Sequence, residues 1–149
     1  MNAGIYYILA FLIGIGLSVQ VGLNTQLRTA LGSPIMAAII SFIVGTLLLI
    51  IYALIFERDS FNSLSGLRTV SWYKCAGGLM GAFYIAGIIL LAPRIGVTSI
   101  TALVVGGQLL FALLLDHYGL FDFAQYPINS LRILGACLLM VGVMLILRN

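Results

Sequence analysis

The hydrophobic pattern divides the chain into five continuous apolar runs, broken by charged residues and prolines. No side chain from Met1 to Leu27 is charged, and the first two thirds of that stretch predict a membrane-crossing helix over about Ile5 to Leu23. A second run opens at Gly32-Ser33-Pro34, where Ser33 suits an N-cap and Pro34 the first helical position. It ends near Phe56, before Glu57, Arg58 and Asp59. After a polar loop from Glu57 to Ser71, a third run spans Trp72 to Ala92 and is expected to stop at Pro93. The fourth runs from Thr98 to Leu115 and ends at Asp116 and His117. The aromatic, half-polar segment after it reads as chain at headgroup level, and Trp72 as an aromatic-belt residue. The fifth run covers Ser130 to Leu147.

Most of these runs approach the roughly 20 apolar residues that cross the hydrocarbon core as a helix. The fifth is the thin one, with roughly 22 Å of helix between Arg132 and Arg148, but both arginines can snorkel to the interfaces. Barrel strands would alternate over about ten residues, whereas these runs are continuous. The reading is an all-α integral membrane protein: a single transmembrane domain over residues 1–149 with five transmembrane helices, half of an inverted-repeat transporter.

Composition agrees. The chain is 62% hydrophobic and 7% charged, with a mean hydropathy of +1.20, against about 25% charged residues in a soluble domain. The net charge is +3 and the seven basic residues are scattered, so no nucleic-acid patch is expected. No basic n-region precedes the first run, which is therefore expected to be a helix of the protein and not a cleaved leader. Cys75 and Cys137 stand alone in apolar contexts and are expected to be buried packing residues.

Charge bears on assembly. Five crossings put the termini on opposite sides. The N-terminal side carries Arg58, Arg68, Lys74 and Arg132; the other carries Arg28, Arg94 and Arg148. Four against three gives almost no orientation bias under the Lys/Arg rule. Either the chain inserts both ways, or the small excess places the N-terminus inside. Two opposed copies would form an inverted-topology pair, and with no repeat inside the chain the second half must be another chain.

Small residues recur every four positions in three runs, as Gly14, Ser18, Gly22; Ala37, Ser41, Gly45; and Gly78, Ala82, Ala86. This spacing predicts close helix packing. On the opposite face of the first run, Gly16, Gln20, Asn24 and Arg28 form a polar stripe. The fourth run carries Ser99, Thr101 and Gln108 beside Gly106 and Gly107, and the third offers Tyr84. Polar side chains facing lipid are costly, so Gln20, Asn24, Tyr84 and Gln108 are expected to converge on a solvated substrate-binding cavity. The alternatives are hydrogen-bond glue for Gln20 and Gln108 and capping for Asn24. Arg28 and Arg94 are placed at a mouth or an interface, where they anchor the helices or draw in an anion. Asp116 and His117 are placed at the interface, because helical neighbours point about 100° apart and make a weak acid–base pair. No carboxylate lies mid-run, which argues against coupling through a central titrating acid. Metal-ligand spacing, phosphate loops and nucleophile elbows do not occur, so neither an enzyme, a metal nor a cofactor is expected.

The segments "VQVGLNTQLRTALGSPIMAAIISFIVGTLLL", "GGLMGAFYIAGIILLAPRIGVTSITALVVGGQLLFALLLDHYGLF" and "LRILGACLLMVGVMLIL" resemble the YdcZ-like family of the drug/metabolite transporter superfamily. The most specific parts are Gln20–Asn24 with Leu31-Gly32-Ser33-Pro34, the Ala92–Gly96 turn, and Gly107-Gln108 followed by Asp116–Gly119. The resemblance implies a multi-pass protein of the bacterial inner membrane with five helices per domain. It also implies half-size members that pair with opposite orientations, and a cavity between the halves to which first helices contribute. Small multidrug exporters of the superfamily place an essential glutamate in that cavity. This chain has Gln20 and Asn24 and no such carboxylate, which argues against drug–proton antiport. The expected function is small-solute transport by alternating access in a dual-topology antiparallel dimer. The alternatives are a dual-topology ion channel and a non-transporting accessory membrane subunit. Expected partners are a small-molecule solute, membrane lipid, and a second copy or a paralogue, with no nucleic acid.

Overall fold

Backbone N–H and C=O groups cannot stay unpaired in hydrocarbon, so a chain this apolar crosses as helices or as a closed barrel. This chain forms helices. The computed structural model describes residues 3–148, which are helical apart from turns and loops, with no strand among the described residues. The start of the charge-free run, Met1 and Asn2, lies outside the described residues. The helices are α1 (Ala3–Leu31), α2 (Pro34–Phe56), α3 (Gly77–Ile95), α4 (Val97–Tyr118) and α5 (Ser130–Leu147). Two short 3-10 helices, Arg58–Arg68 and Trp72–Ala76, lie between α2 and α3, and a third, Leu120–Asp122, follows α4. Five candidate spans are long and apolar enough to cross a membrane, the third of them running from Trp72 to Ile95.

The helix starts follow the expected chemistry. Ser33 caps α2, its side chain accepting from the Met36 N–H at 3.3 Å, and Pro34 takes the first position. The Asn129 side chain caps α5, accepting from the Arg132 N–H at 2.8 Å. Three boundaries differ from the sequence reading. The first helix runs eight residues past Leu23, because Asn24, Thr25 and Gln26 tolerate helix and Thr25 and Thr29 return their hydroxyls to the carbonyls of Val21 and Thr25. The third does not stop at Pro93 but ends at Ile95, with the proline inside its last turn. The fourth continues through Asp116 and His117 to Tyr118, where Gly119 ends it in the left-handed conformation (φ 60°).

The chain forms two units, Met1–Arg94 and Ile95–Asn149. In the first, Ala37, Ala38 and Ile89 make a small core, with Leu27, Ile85 and Ala86 packed around it. The Phe42 ring seats 3.5 Å from where a Cβ on Gly81 would lie. In the second, α4 and α5 pair closely at Gly106, where an added Cβ would meet Met140 Sδ at 3.3 Å and Val143 at 3.5 Å.

The small-residue expectation is met only in part. Ala37 is buried and Ser41 and Ala86 half-buried, but Gly45 and Ala82 are exposed. Nothing in the chain lies within 4 Å of a Cβ added at Gly14, Gly22, Gly45 or Gly78. On α1 the side that turns inward is the polar one, through Val21 and Asn24, and the Gly14 and Ser18 face stays open. Cys75 and Cys137 are likewise exposed and not buried. Large apolar side chains such as Phe11, Leu48, Phe83 and Leu131 are also exposed, as befits faces solvated by lipid.

Gly96, the residue before α4, has φ 84° and ψ 151°, a region essentially restricted to glycine. Gly96→Ala is expected to cost about 1–3 kcal/mol, read as a lower thermal-unfolding midpoint in detergent. Gly14→Ala, which meets nothing within 4 Å in its own chain, is expected to leave the midpoint of the single chain unchanged or to raise it.

Candidate solute site

The polar stripe of α1 is the most unusual feature of the first unit. Gln20, Asn24 and Arg28 lie one turn apart on a single uninterrupted helix. Among the described residues Asn24, 7% exposed, is the buried polar one; no hydrogen bond reaches its amide, whose atoms keep access to the surface. Gln20 and Arg28 are half-buried on either side of it.

Arg28 is held by a vacancy in α3. A helical carbonyl normally receives the N–H four residues later. Pro93 has no N–H, so the carbonyl of Ile89 lacks its regular donor. Ile89 is fully buried, which keeps water from substituting. Arg28 Nη1 donates to this carbonyl at 3.4 Å. The proline that the sequence marks as a helix end instead creates an acceptor, and the arginine that closes the first span fills it. Most of the guanidinium's five N–H donors remain free. Tyr84 is half-buried on the same α3, and Arg94 is exposed at its end.

A second polar cluster organises the end of α4 in the other unit. Asp116 Oδ2 accepts from Arg132 Nη1 at 3.2 Å, with the two side chains 38% and 33% exposed. The same Arg132 nitrogen donates to the Tyr126 carbonyl at 3.1 Å, and its guanidinium carbon lies 5.6 Å from the centre of the Tyr126 ring. Last-turn carbonyls of α4 are satisfied by the loop. The Tyr126 N–H donates to the Asp116 carbonyl and the Gln125 amide to the His117 carbonyl, both at 2.8 Å. His117 Nδ1 accepts from the Ile128 N–H at 3.2 Å. Asp116 and His117 therefore do not pair with each other; each fastens a different part of the α4–α5 connection. A groove of about 280 Å³ beside Asp116 and Arg132 continues between Leu109, Leu113 and Ala136.

Residues 5–145 match the family described as "Putative inner membrane exporter, YdcZ". The chain belongs to that family. It is 31% identical over 145 residues to the inner membrane protein YdcZ of Escherichia coli (strain K12), covering 95% of each chain. No solved structure matches it. It is thus a multi-pass protein of the inner membrane, and the family description is that of an exporter, not of an enzyme.

In this YdcZ-family protein the expected binding residues divide between the units. Gln20, Asn24 and Tyr84 belong to the first and Gln108, exposed on α4, to the second. Of the four only Asn24 is buried, and among the described residues no hydrogen bond joins any two of them. The Arg28–Ile89 tie and the roles of Gln125, Tyr126 and Arg132 were missed from sequence. The first carried a readable signal, because a proline inside an apolar helix always frees the carbonyl four residues before it.

Arg28→Gln is expected to lower stability by about 1–2 kcal/mol through that carbonyl. In a Pro93→Ala background, where the substituted residue supplies the missing N–H, the same Arg28 change should cost markedly less. A double-mutant cycle of thermal unfolding in detergent reads the difference, and equal costs in both backgrounds would show that the carbonyl is not what Arg28 serves.

Proposed function

We propose that this protein is a small-solute transporter that works by alternating access as an antiparallel pair of oppositely inserted chains. The observation that carries the proposal is Asn24. Asn24 is a buried residue in a membrane-spanning helix, one turn from Arg28; its amide makes no hydrogen bond among the described residues and keeps access to the surface, which leaves it open to a ligand. Membership of a family described as an inner membrane exporter supports transport in general. The near balance of basic residues across the membrane supports insertion in both orientations.

The physical scheme follows from these parts. Gln20, Asn24 and Gln108 supply neutral donors and acceptors, Tyr84 an aromatic wall, and Arg28 a cationic edge. Each chain contributes one half of the pathway, and rocking of one half against the other opens the site to each side in turn. The glycine-rich faces left open on α1, α2 and α3 suit close approach by a second chain.

Two measurements test the proposal. Single cysteines placed in the loop from Glu57 to Ser71, after Cys75 and Cys137 are changed to alanine, are expected to be labelled from both sides of intact membranes. Labelling from one side alone would remove the antiparallel homodimer. In proteoliposomes, Gln20→Ala and Gln108→Ala are expected to lower solute flux at least several-fold while the unfolding midpoint holds. Unchanged flux would take these amides out of the pathway, and resolvable unitary currents in planar bilayers would replace the carrier with a channel.

A further inference from the structure

The acidic residues of the chain are not distributed as the basic ones are. In the first unit the only carboxylates are Glu57 and Asp59, just past the end of α2. Arg28 lies at the opposite end, beside the two-residue turn that leads into α2. The 23 residues of α2 separate them by about 35 Å, several Debye lengths at physiological salt. In the second unit the carboxylates are Asp116 and Asp122, at the α4–α5 connection, and Asp116 already holds Arg132. Arg148 is at the far end of α5. Within one chain, five alternating crossings would put all four acidic side chains on one side of the membrane, where Glu57, Asp59, Asp116 and Asp122 balance Arg58, Arg68, Lys74 and Arg132. The whole net charge of +3 falls on the other side, as Arg28, Arg94 and Arg148. The basic count alone, four against three, conceals this.

Arg28 is the half-buried member of that acid-free set. Among the described residues it bonds only to a neutral carbonyl, so its charge is uncompensated. A cation withdrawn from water without a counter-charge is unfavourable, and a bound anion removes that penalty. The free guanidinium N–H groups present the planar fork that matches a carboxylate, sulfonate or phosphate. One turn away, Asn24 is a buried residue whose amide still reaches the surface and makes no hydrogen bond among the described residues, so it offers a further donor.

We infer that Arg28 and Asn24 form the binding site for a small oxyanion solute, at the end of each chain that carries Arg28, Arg94 and Arg148 and no acidic side chain. The inference names the solute class of the transport reading and rests on that reading for passage across the membrane, but not for binding.

The test uses the full-length protein in detergent at constant ionic strength and follows its unfolding midpoint with solutes matched except in charge. One series is gluconate, glucose and N-methylglucamine; a second is benzenesulfonate, benzyl alcohol and benzyltrimethylammonium; inorganic phosphate is the remaining probe. At least one oxyanion is expected to raise the midpoint saturably, as ligand linkage requires, while its neutral and cationic counterparts do not. Arg28→Lys should retain the response, and Arg28→Gln should weaken the apparent affinity about ten-fold or more, the loss of one charge-assisted contact. Asn24→Ala should weaken it several-fold, and it carries the test if Arg28→Gln does not fold. The inference is overturned if no oxyanion stabilises the protein, if neutral or cationic counterparts stabilise it equally, or if Arg28→Gln and Asn24→Ala respond like the parent. Proteoliposome flux separates it from the transport reading. Saturable oxyanion binding without flux sinks transport and leaves the site, whereas flux of glucose or N-methylglucamine alone sinks the site and leaves transport.

Discussion

The constraint on which this structure depends is that no backbone polar group may stay unpaired in hydrocarbon. It forces the apolar runs into helices and then governs how each helix ends. The Ser33 and Asn129 side chains meet N–H groups that would otherwise be orphaned at the starts of α2 and α5. Gln125 and Tyr126 meet carbonyls in the last turn of α4. At Pro93 the breach lies inside a helix, where the buried carbonyl needs a donor from outside the regular helical pattern. Arg28 supplies it, which makes the tie between α1 and α3 a consequence of backbone chemistry as much as of packing.

That repair shapes the candidate site. The core of the first unit is small, built on Ala37, Ala38 and Ile89, and small side chains supply little dispersion energy. The Arg28 bond to Ile89 therefore adds a polar tie between α1 and α3 where packing alone is weak, on the side of α1 that also carries Asn24.

Much of the fold was legible in the sequence because its signals are local. The charge-free runs, the Ser33-Pro34 start and the closing charges at Glu57 to Asp59 each act within a few residues, and all appear in the structure. What was not legible depends on partners distant in sequence. Pro93 reads as a stop because the missing N–H is local, whereas the arginine that tolerates it sits 61 residues from Ile89. Asp116 and His117 read as a bare charged end because Arg132, Gln125 and Ile128 reach them only after the loop folds back. The small-residue series mark faces able to approach another surface closely, but spacing does not say whether that surface belongs to the same chain. For Gly14 and Gly22 nothing in the same chain lies within 4 Å of an added Cβ.

The chemistry of the α1 stripe also limits what could drive a transport cycle. Amides do not titrate, and a guanidinium keeps its proton at every physiological pH. A site made of Gln20, Asn24 and Arg28 therefore presents the same charge to the solute in every conformation and on both sides of the membrane. Proton coupling in carriers works by changing that charge, which requires a carboxylate or imidazole near the midplane, and no span of this chain has an acid or histidine there. Under the oxyanion proposal the solute itself would do the switching: bound at Arg28, it would lower the cost of moving that residue through a low-dielectric, occluded state, while the empty site would keep its bare charge and resist the same step. Coupling of this kind favours exchange of one anion for another, or anion flux down its own electrochemical gradient, over uphill pumping by protons. A carrier that pumped against a proton gradient would need a titrating group outside the stripe, and His117, with its Nδ1 engaged by the Ile128 N–H at the α4–α5 connection, lies at a helix end and not at the midplane.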